Sequence, residues 1–327
     1  YNAIIADINQ LVDQFAYGVK LHPLSIKNFV RYARSNFLTT PKFVFLIGKG
    51  LNYIDYRNNE AASDISYQNL VPTWGSPASD NLLVSEDLSN AIPAISIGRL
   101  SAISADEVGN YLTKVKQYDS AQASNSNLIK DKGWMKNVLQ VAGTNDPSIA
   151  ATLDDILKDY SNIMKDVSMG GNVRNYDKLA NTSEYTQSIN EFKNIYEQGT
   201  SIVSYFGHSS STNLDFNLDD PDHYNNFGKY PIFLVNGCDA ANYYVYEPSR
   251  LSLRSTISEK FILEPSRGAI GYVATTGFGM INYLDSFTTK VIKNLSANNY
   301  GNTFGQIFKQ GISDVLTTTG FNDYYAR

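Results

Sequence analysis

The sequence predicts an α/β protein built on mostly parallel sheets and divided into two subdomains. Three observations carry that expectation: short apolar runs that do not alternate, helical periodicity between them, and glycine or polar residues closing the runs. A strand covered by helices on both faces has no solvent side, so its apolar residues continue without a break.

The runs are residues 43–47 (FVFLI), 92–97 (IPAISI), 138–142 (VLQVA), 202–206 (IVSYF), 232–235 (IFLV) and 269–274 (AIGYVA). A helix is expected after Ser104, because Glu107 stands three residues on in a capping-box arrangement. Val108, Tyr111, Leu112, Val115 and Tyr118 then follow at helical spacing. Leu153, Ile156, Leu157 and Tyr160 mark a second helix, and Ile189, Phe192, Ile195 and Tyr196 a third that stops at Gly199. Strands and helices in alternation build a parallel sheet through βαβ crossovers. Periodicity is weakest over residues 120–131 (SAQASNSNLIKD), so the division is expected there, with subdomain A over 1–127 and subdomain B over 128–327.

At 327 residues, with 43% hydrophobic and 18% charged, the chain can bury a large core. A net charge of -5 and the lack of any Lys/Arg run exclude a nucleic-acid partner, since a phosphate backbone needs a basic surface. No apolar stretch is long enough to span a bilayer. The opening YNAIIADINQ carries neither an initiator Met nor a signal pattern, which leads us to expect a domain of a longer protein. A single cysteine excludes an internal disulfide framework and any multi-cysteine zinc site.

In an open parallel sheet the working residues sit just past the carboxyl ends of strands. Two ends stand out: Gly207-His208-Ser209 after one run and Asn236-Gly237-Cys238 after the next. On neighbouring strands these would bring an imidazole to the thiol, the pairing that nucleophilic catalysis by cysteine needs. The N–H groups of Gly207 and Cys238 are the candidate donors to an oxyanion. The plain alternative is a packed cysteine, the commonest fate of a lone thiol. His22 and His223 read as surface residues; His208, His223 and Asp222 match no zinc spacing, and Gly48-Lys49-Gly50 lacks the spacing of a phosphate loop.

The segments IGRLSAISADEV, GTSIVSYFGHSS, IFLVNGCDAANYY and EPSRGAIGYVATTGFGMIN, in this order and spacing, resemble the gingipain family of caspase-like cysteine peptidases. The resemblance implies a caspase-like three-layer sandwich in which subdomain B is catalytic. It implies a cysteine endopeptidase or transpeptidase working through an acyl-enzyme on Cys238, with His208 as its catalytic histidine. Ser209 stands where the family turn has a second glycine. A third catalytic residue is expected from the loop at Asn145 and Asp146, with Asp146 preferred; a simple helix cap is the other reading of that residue. Thr275, Thr276, Phe278 and Met280 would line the substrate pocket, or Phe278 and Met280 would belong to a helix core. No cofactor is required, and structural calcium is conceivable at Asp80, Glu86 and Asp87 or at Asp215, Asp219 and Asp220.

Within the family, LVDQFAYGVKLHPLSIKNFVRYA is most similar to the PorU-type sortases of type IX secretion in Bacteroidetes. That similarity implies removal of C-terminal signals from exported cargo, outer-membrane partners, and a cell-surface or secreted location. An inactive caspase-like scaffold that binds proteins, or a secreted gingipain-like protease, are the alternatives.

Overall fold

The computed structural model describes residues 3–87, 91–123, 126, 128–178, 182–216, 218 and 220–318. In chain order come α1 (Ile8–Phe15), α2 (Leu24–Asn36), β1 (Phe43–Ile47), α3 (Tyr53–Asn59), α4 (Ile65–Gln68), α5 (Asn81–Val84) and β2 (Ser96–Leu100). They are followed by α6 (Ala105–Gln122), α7 (Ile129–Lys132), β3 (Asn137–Gly143), α8 (Pro147–Met164), β4 (Asn172–Asp177), α9 (Thr182–Gln198) and β5 (Ile202–Gly207). The rest are β6 (Ile232–Asn236), α10 (Ile257–Leu263), β7 (Gly271–Ala274), α11 (Ile281–Lys293) and α12 (Phe304–Thr318).

The described residues form two compact units: Tyr1–Ile103 with Tyr244–Ser252 and Thr303–Arg327, and Ser104–Tyr243 with Leu253–Asn302. The division expected after residue 127 falls inside the second unit, between α6 and α7, in a stretch whose residues 124, 125 and 127 lie outside the described ones.

In the first unit β1 and β2 pair in parallel, Phe43 opposite Ser96 through Ile47 opposite Leu100. Ile26 and Val30 of α2 pack with Leu46, Leu83, Val84 and Ile95 beneath them. Strand β2 starts later than the apolar run 92–97 predicts, because Pro93 has no N–H to give a ladder. It runs on through Arg99, whose buried guanidinium bonds both oxygens of Asp80 and the carbonyls of Gly48, Val71 and Pro72. A fully engaged charge can sit inside a strand where a sequence pattern would end it.

The second unit holds a five-stranded, all-parallel sheet in the order β4-β3-β5-β6-β7. One face presents Leu139, Val141, Val203, Tyr205, Phe233 and Val235 to Phe192 and Tyr196 of α9 and Phe261 of α10. On the other, Gln140 donates to the Leu157 carbonyl and Ser161 hydroxyl of α8, while Thr288 of α11 donates to Asn236. Helices therefore cover both faces, which explains why β3, β5 and β6 read as unbroken apolar runs. Strand β4 was not anticipated; it is an edge strand whose NVRNYD buries only Val173 and Tyr176. The chain adds β4 on one side of β3 and returns to the other side for β5, so strand order reverses between β3 and β5.

Helix α6 starts as expected, with Ser104 accepting from the Glu107 N–H at 3.2 Å. Its Lys114 is buried and donates to the carbonyls of Phe261, Ile262 and Ala269 at 2.9, 3.0 and 3.2 Å. Burial pushes its pKa from the usual 10.5 down to about 7, with Glu264 acting in the opposite sense. The unfolded chain thus holds more protons between those values, and the stability owed to Lys114 grows as pH rises through them. Lys114→Met, which strands three carbonyls, is expected to lower the unfolding free energy by about 3 kcal/mol. In urea titrations that deficit widens from neutral to mildly alkaline pH.

Helix α8 is capped by Asp146, which accepts from the Ser148 hydroxyl and the N–H groups of Ser148 and Ile149. Those bonds, Ser148 first, hold its carboxyl below the usual 3.8, and the charge of His208 adds a smaller push the same way. Its contribution to stability is therefore present above that value and lost as pH falls through the lowered one. Asp146→Asn keeps a capping acceptor, so the variant should lose less ellipticity than the parent below about pH 4.

Candidate active site

All five strands of the second unit are parallel, so the loops after them leave from one edge of the sheet. Thr144 to Asp146 follow β3, His208 and Ser209 follow β5, Gly237 and Cys238 follow β6, and Thr275 to Gly279 follow β7. The strand order reverses between β3 and β5, beside the His208 loop, the place in an open parallel sheet where ligands commonly bind.

His208 is solvent-exposed on a firmly held backbone. Its N–H donates to the Gly143 carbonyl at 2.8 Å, and its carbonyl accepts from the Asp215 N–H at 3.1 Å and from the Tyr205 hydroxyl. Gly207 is required here by close approach, since a Cβ on it would lie 2.1 Å from the Gly143 carbonyl oxygen.

Cys238 is half-buried. Its Sγ accepts from the Gly279 N–H at 3.4 Å, and its carbonyl accepts from the Ser209 hydroxyl at 2.8 Å. The second bond ties the loop carrying the imidazole to the loop carrying the thiol, at the ends of hydrogen-bonded neighbours β5 and β6. The two loops are packed so closely that a Cβ on Gly237 would meet the Ser209 Oγ at 2.1 Å. From the other side, Asp239 donates to Gly277 at 2.9 Å, Ala241 to Thr275 at 2.8 Å, and the Thr275 hydroxyl to the Gly237 carbonyl. Asp239 takes a left-handed φ of 56°, which turns the chain sharply after the cysteine.

The N–H groups of Cys238 and Ser209 have no hydrogen-bond partner among the described residues. Gly207 is differently placed from the sequence expectation. The bond from the Ile232 N–H to the Ser201 carbonyl sets the phase of the β5–β6 ladder, and its two-residue repeat aims the Gly207 N–H at the Asn236 carbonyl. A donor used in the ladder is not free for a ligand, whereas the Ser209 N–H lies beyond the ladder.

Asp146 is at once the α8 cap and a charge acting on His208. Its neighbour Asn145 reaches Asp215 instead, which is ion-paired with Lys178. Phe278 and Met280 flank Gly279 and are exposed, at 78% and 43%, so they are not core residues of α11. Thr275 and Thr276 are half-buried, and the Thr275 hydroxyl points to backbone. The roles of the Ser209 hydroxyl, Thr275 and the Gly279 N–H were not legible in the sequence, because their partners are main-chain atoms. Ser209 was flagged only as the departure from glycine.

Four of the acids considered for calcium are engaged by protein donors: Asp80 by Arg99, Thr73 and Tyr244, Glu86 by Arg34, Asp215 by Lys178, and Asp220 by the Asp222 N–H. Asp219 lies outside the described residues. Among the described residues no three His, Cys, Asp or Glu side chains gather to hold a metal, which includes His208, His223 and Asp222.

Among solved structures the chain is similar to the complex of the pro- and mature domains of Porphyromonas gingivalis RgpB, at 16% identity and a TM-score of 0.68, covering 96% of this chain and 68% of that one. It is similar to the Arg-specific cysteine proteinase gingipain R (RgpB) at 16% identity and a TM-score of 0.64, covering 98% and 72%. A third structure, described as a protease, matches at 18% identity with a TM-score of 0.64 and coverage of 92% and 66%. These structural matches establish the fold, a caspase-like α/β arrangement with parallel sheets. A comparison with curated proteins finds no match. The model of peptidase family C25 matches residues 1–327, and the chain therefore belongs to that family, the gingipain family of cysteine-type peptidases.

Proposed function

We propose that the chain cleaves peptide bonds through a thioester on Cys238, with His208 as its proton-transfer partner. The observation that carries this assignment is the bond from the Ser209 hydroxyl to the Cys238 carbonyl, which fastens the two reactive loops together at adjacent strand ends. In the reaction His208 takes the thiol proton and the thiolate attacks the scissile carbonyl carbon, moving the carbonyl electron pair onto oxygen. The unpartnered N–H groups of Cys238 and Ser209 are the donors to that oxyanion. Collapse breaks the C–N bond, the His208 imidazolium protonates the departing amine, and the acyl group stays on sulfur. Water or an amine then attacks the thioester, and the thiol is restored. Asp146, whose lowered carboxyl is held first by Ser148 and to a smaller degree by the charge of His208, is the third residue of this assignment.

Phe278 and Met280, exposed beside the residue whose N–H reaches Sγ, offer an apolar wall to the side chain preceding the cut bond, with Thr276 in the same loop. The finer assignment is a PorU-like sortase that removes C-terminal signals from type IX cargo at the cell surface, with outer-membrane partners; the segment at residues 11–33 supports it. The inactive-scaffold alternative drew on the serine at 209, and that serine is engaged in holding the cysteine loop.

Cys238→Ala should abolish labelling by a thiol-directed acyloxymethyl ketone probe while leaving the circular dichroism unchanged; labelling that survives the substitution defeats the assignment. For the sortase reading, a peptide spanning a type IX cargo signal junction is incubated with and without glycinamide. Amide product in competition with free acid is expected, and acid alone at every amine concentration would leave only a hydrolase.

A further inference from the structure

The peptide groups on either side of Cys238 are each held by a side-chain hydroxyl from a different loop. The carbonyl of Gly237 accepts from Thr275, in the loop after β7, and the carbonyl of Cys238 accepts from Ser209, in the loop after β5. In a trans peptide the C=O and N–H of one plane point in opposite directions. Fixing the Gly237 carbonyl toward Thr275 therefore turns the Cys238 N–H away from Thr275, and that N–H is left without a partner among the described residues. Fixing the next plane restrains the cysteine from its other side, where Asp239 turns the chain at φ 56°. An oxyanion donor is effective when it needs no reorganisation at the moment of reaction, and two restrained planes supply that.

We propose that Thr275 and Ser209 are positioning residues whose hydroxyls hold the Cys238 N–H ready as an oxyanion donor. The inference rests on Cys238 being the nucleophile. It moves Thr275 from the substrate wall to the support of the cysteine loop, and it gives the serine that departs from the family glycine a part in catalysis.

The test uses two reactions of the same sulfur. Alkylation by iodoacetamide needs the thiolate and no oxyanion donor. Acylation by p-nitrophenyl acetate transfers the acetyl group to sulfur, releases p-nitrophenolate and passes through an oxyanion. Thr275→Val keeps the shape and removes the hydroxyl, and it should lower kcat/KM for the ester roughly 10- to 100-fold. Its pH profile of alkylation should superimpose on that of the parent, and Thr275→Ser should restore the ester rate. Ser209→Ala is expected to follow Thr275→Val in direction. Parent-like ester rates in both hydroxyl-free variants overturn the proposal, as does a parallel fall in alkylation and acylation, which marks a merely structural role. A parent protein that is alkylated yet never acylated overturns the peptidase reading and the clamp together, whereas failure of the variants alone removes only the clamp.

Discussion

The site depends on one constraint: β5 and β6 are parallel neighbours in register, from Ile202 opposite Ile232 to Phe206 opposite Asn236. Parallel pairing sends both strands out of the sheet at the same edge, so whatever follows Phe206 must meet whatever follows Asn236. The chain places Gly-His-Ser after one and Gly-Cys-Asp after the other. The sheet that enforces this is buried on both faces by helices, its Phe233 fully buried with Phe192 of α9 and Phe261 of α10. Core packing of this density resists small shifts, which is what a pair of reacting groups requires of its support.

The close approach of the two loops is made possible by what is missing. With a Cβ on Gly207 the chain would collide with the Gly143 carbonyl, and with one on Gly237 it would collide with the Ser209 hydroxyl. Glycine at these positions lets backbone lie on backbone, so N–H groups of the main chain come to the substrate side rather than being fenced off by side chains. Serine at 209 then adds a bond that the closeness alone would not supply, from its Oγ to the Cys238 carbonyl.

Much of this was readable in the residues. The strands β3, β5 and β6 were found because burial on both faces leaves a run such as IVSYF without a polar partner face. His208 and Cys238 are legible because each closely follows such a run, His208 across Gly207 and Cys238 across Asn236-Gly237. Strand β4 was hidden because an edge strand paired on one side can be mostly polar, as NVRNYD is. The true span of β2 was hidden because the partners that neutralise Arg99, chiefly Asp80 and three carbonyls, are distant in sequence. The same reason concealed the Gly279 N–H and the turn of the Thr275 hydroxyl toward the main chain. A backbone partner has no residue type, so no pattern of residue types announces it.

The loop after β7 carries this logic furthest. Within residues 275–280 lie the hydroxyl that holds the Gly237 carbonyl, the Gly277 carbonyl that receives the Asp239 N–H, the N–H that reaches Sγ, and the two exposed apolar side chains. The groups that hold the cysteine loop and the two exposed apolar side chains thus share one short piece of chain. A change in backbone path at Phe278 and Met280 bears directly on the Gly279 N–H that lies between them. The course of these two side chains and the atoms held against Cys238 are in this way set within the same few peptide planes.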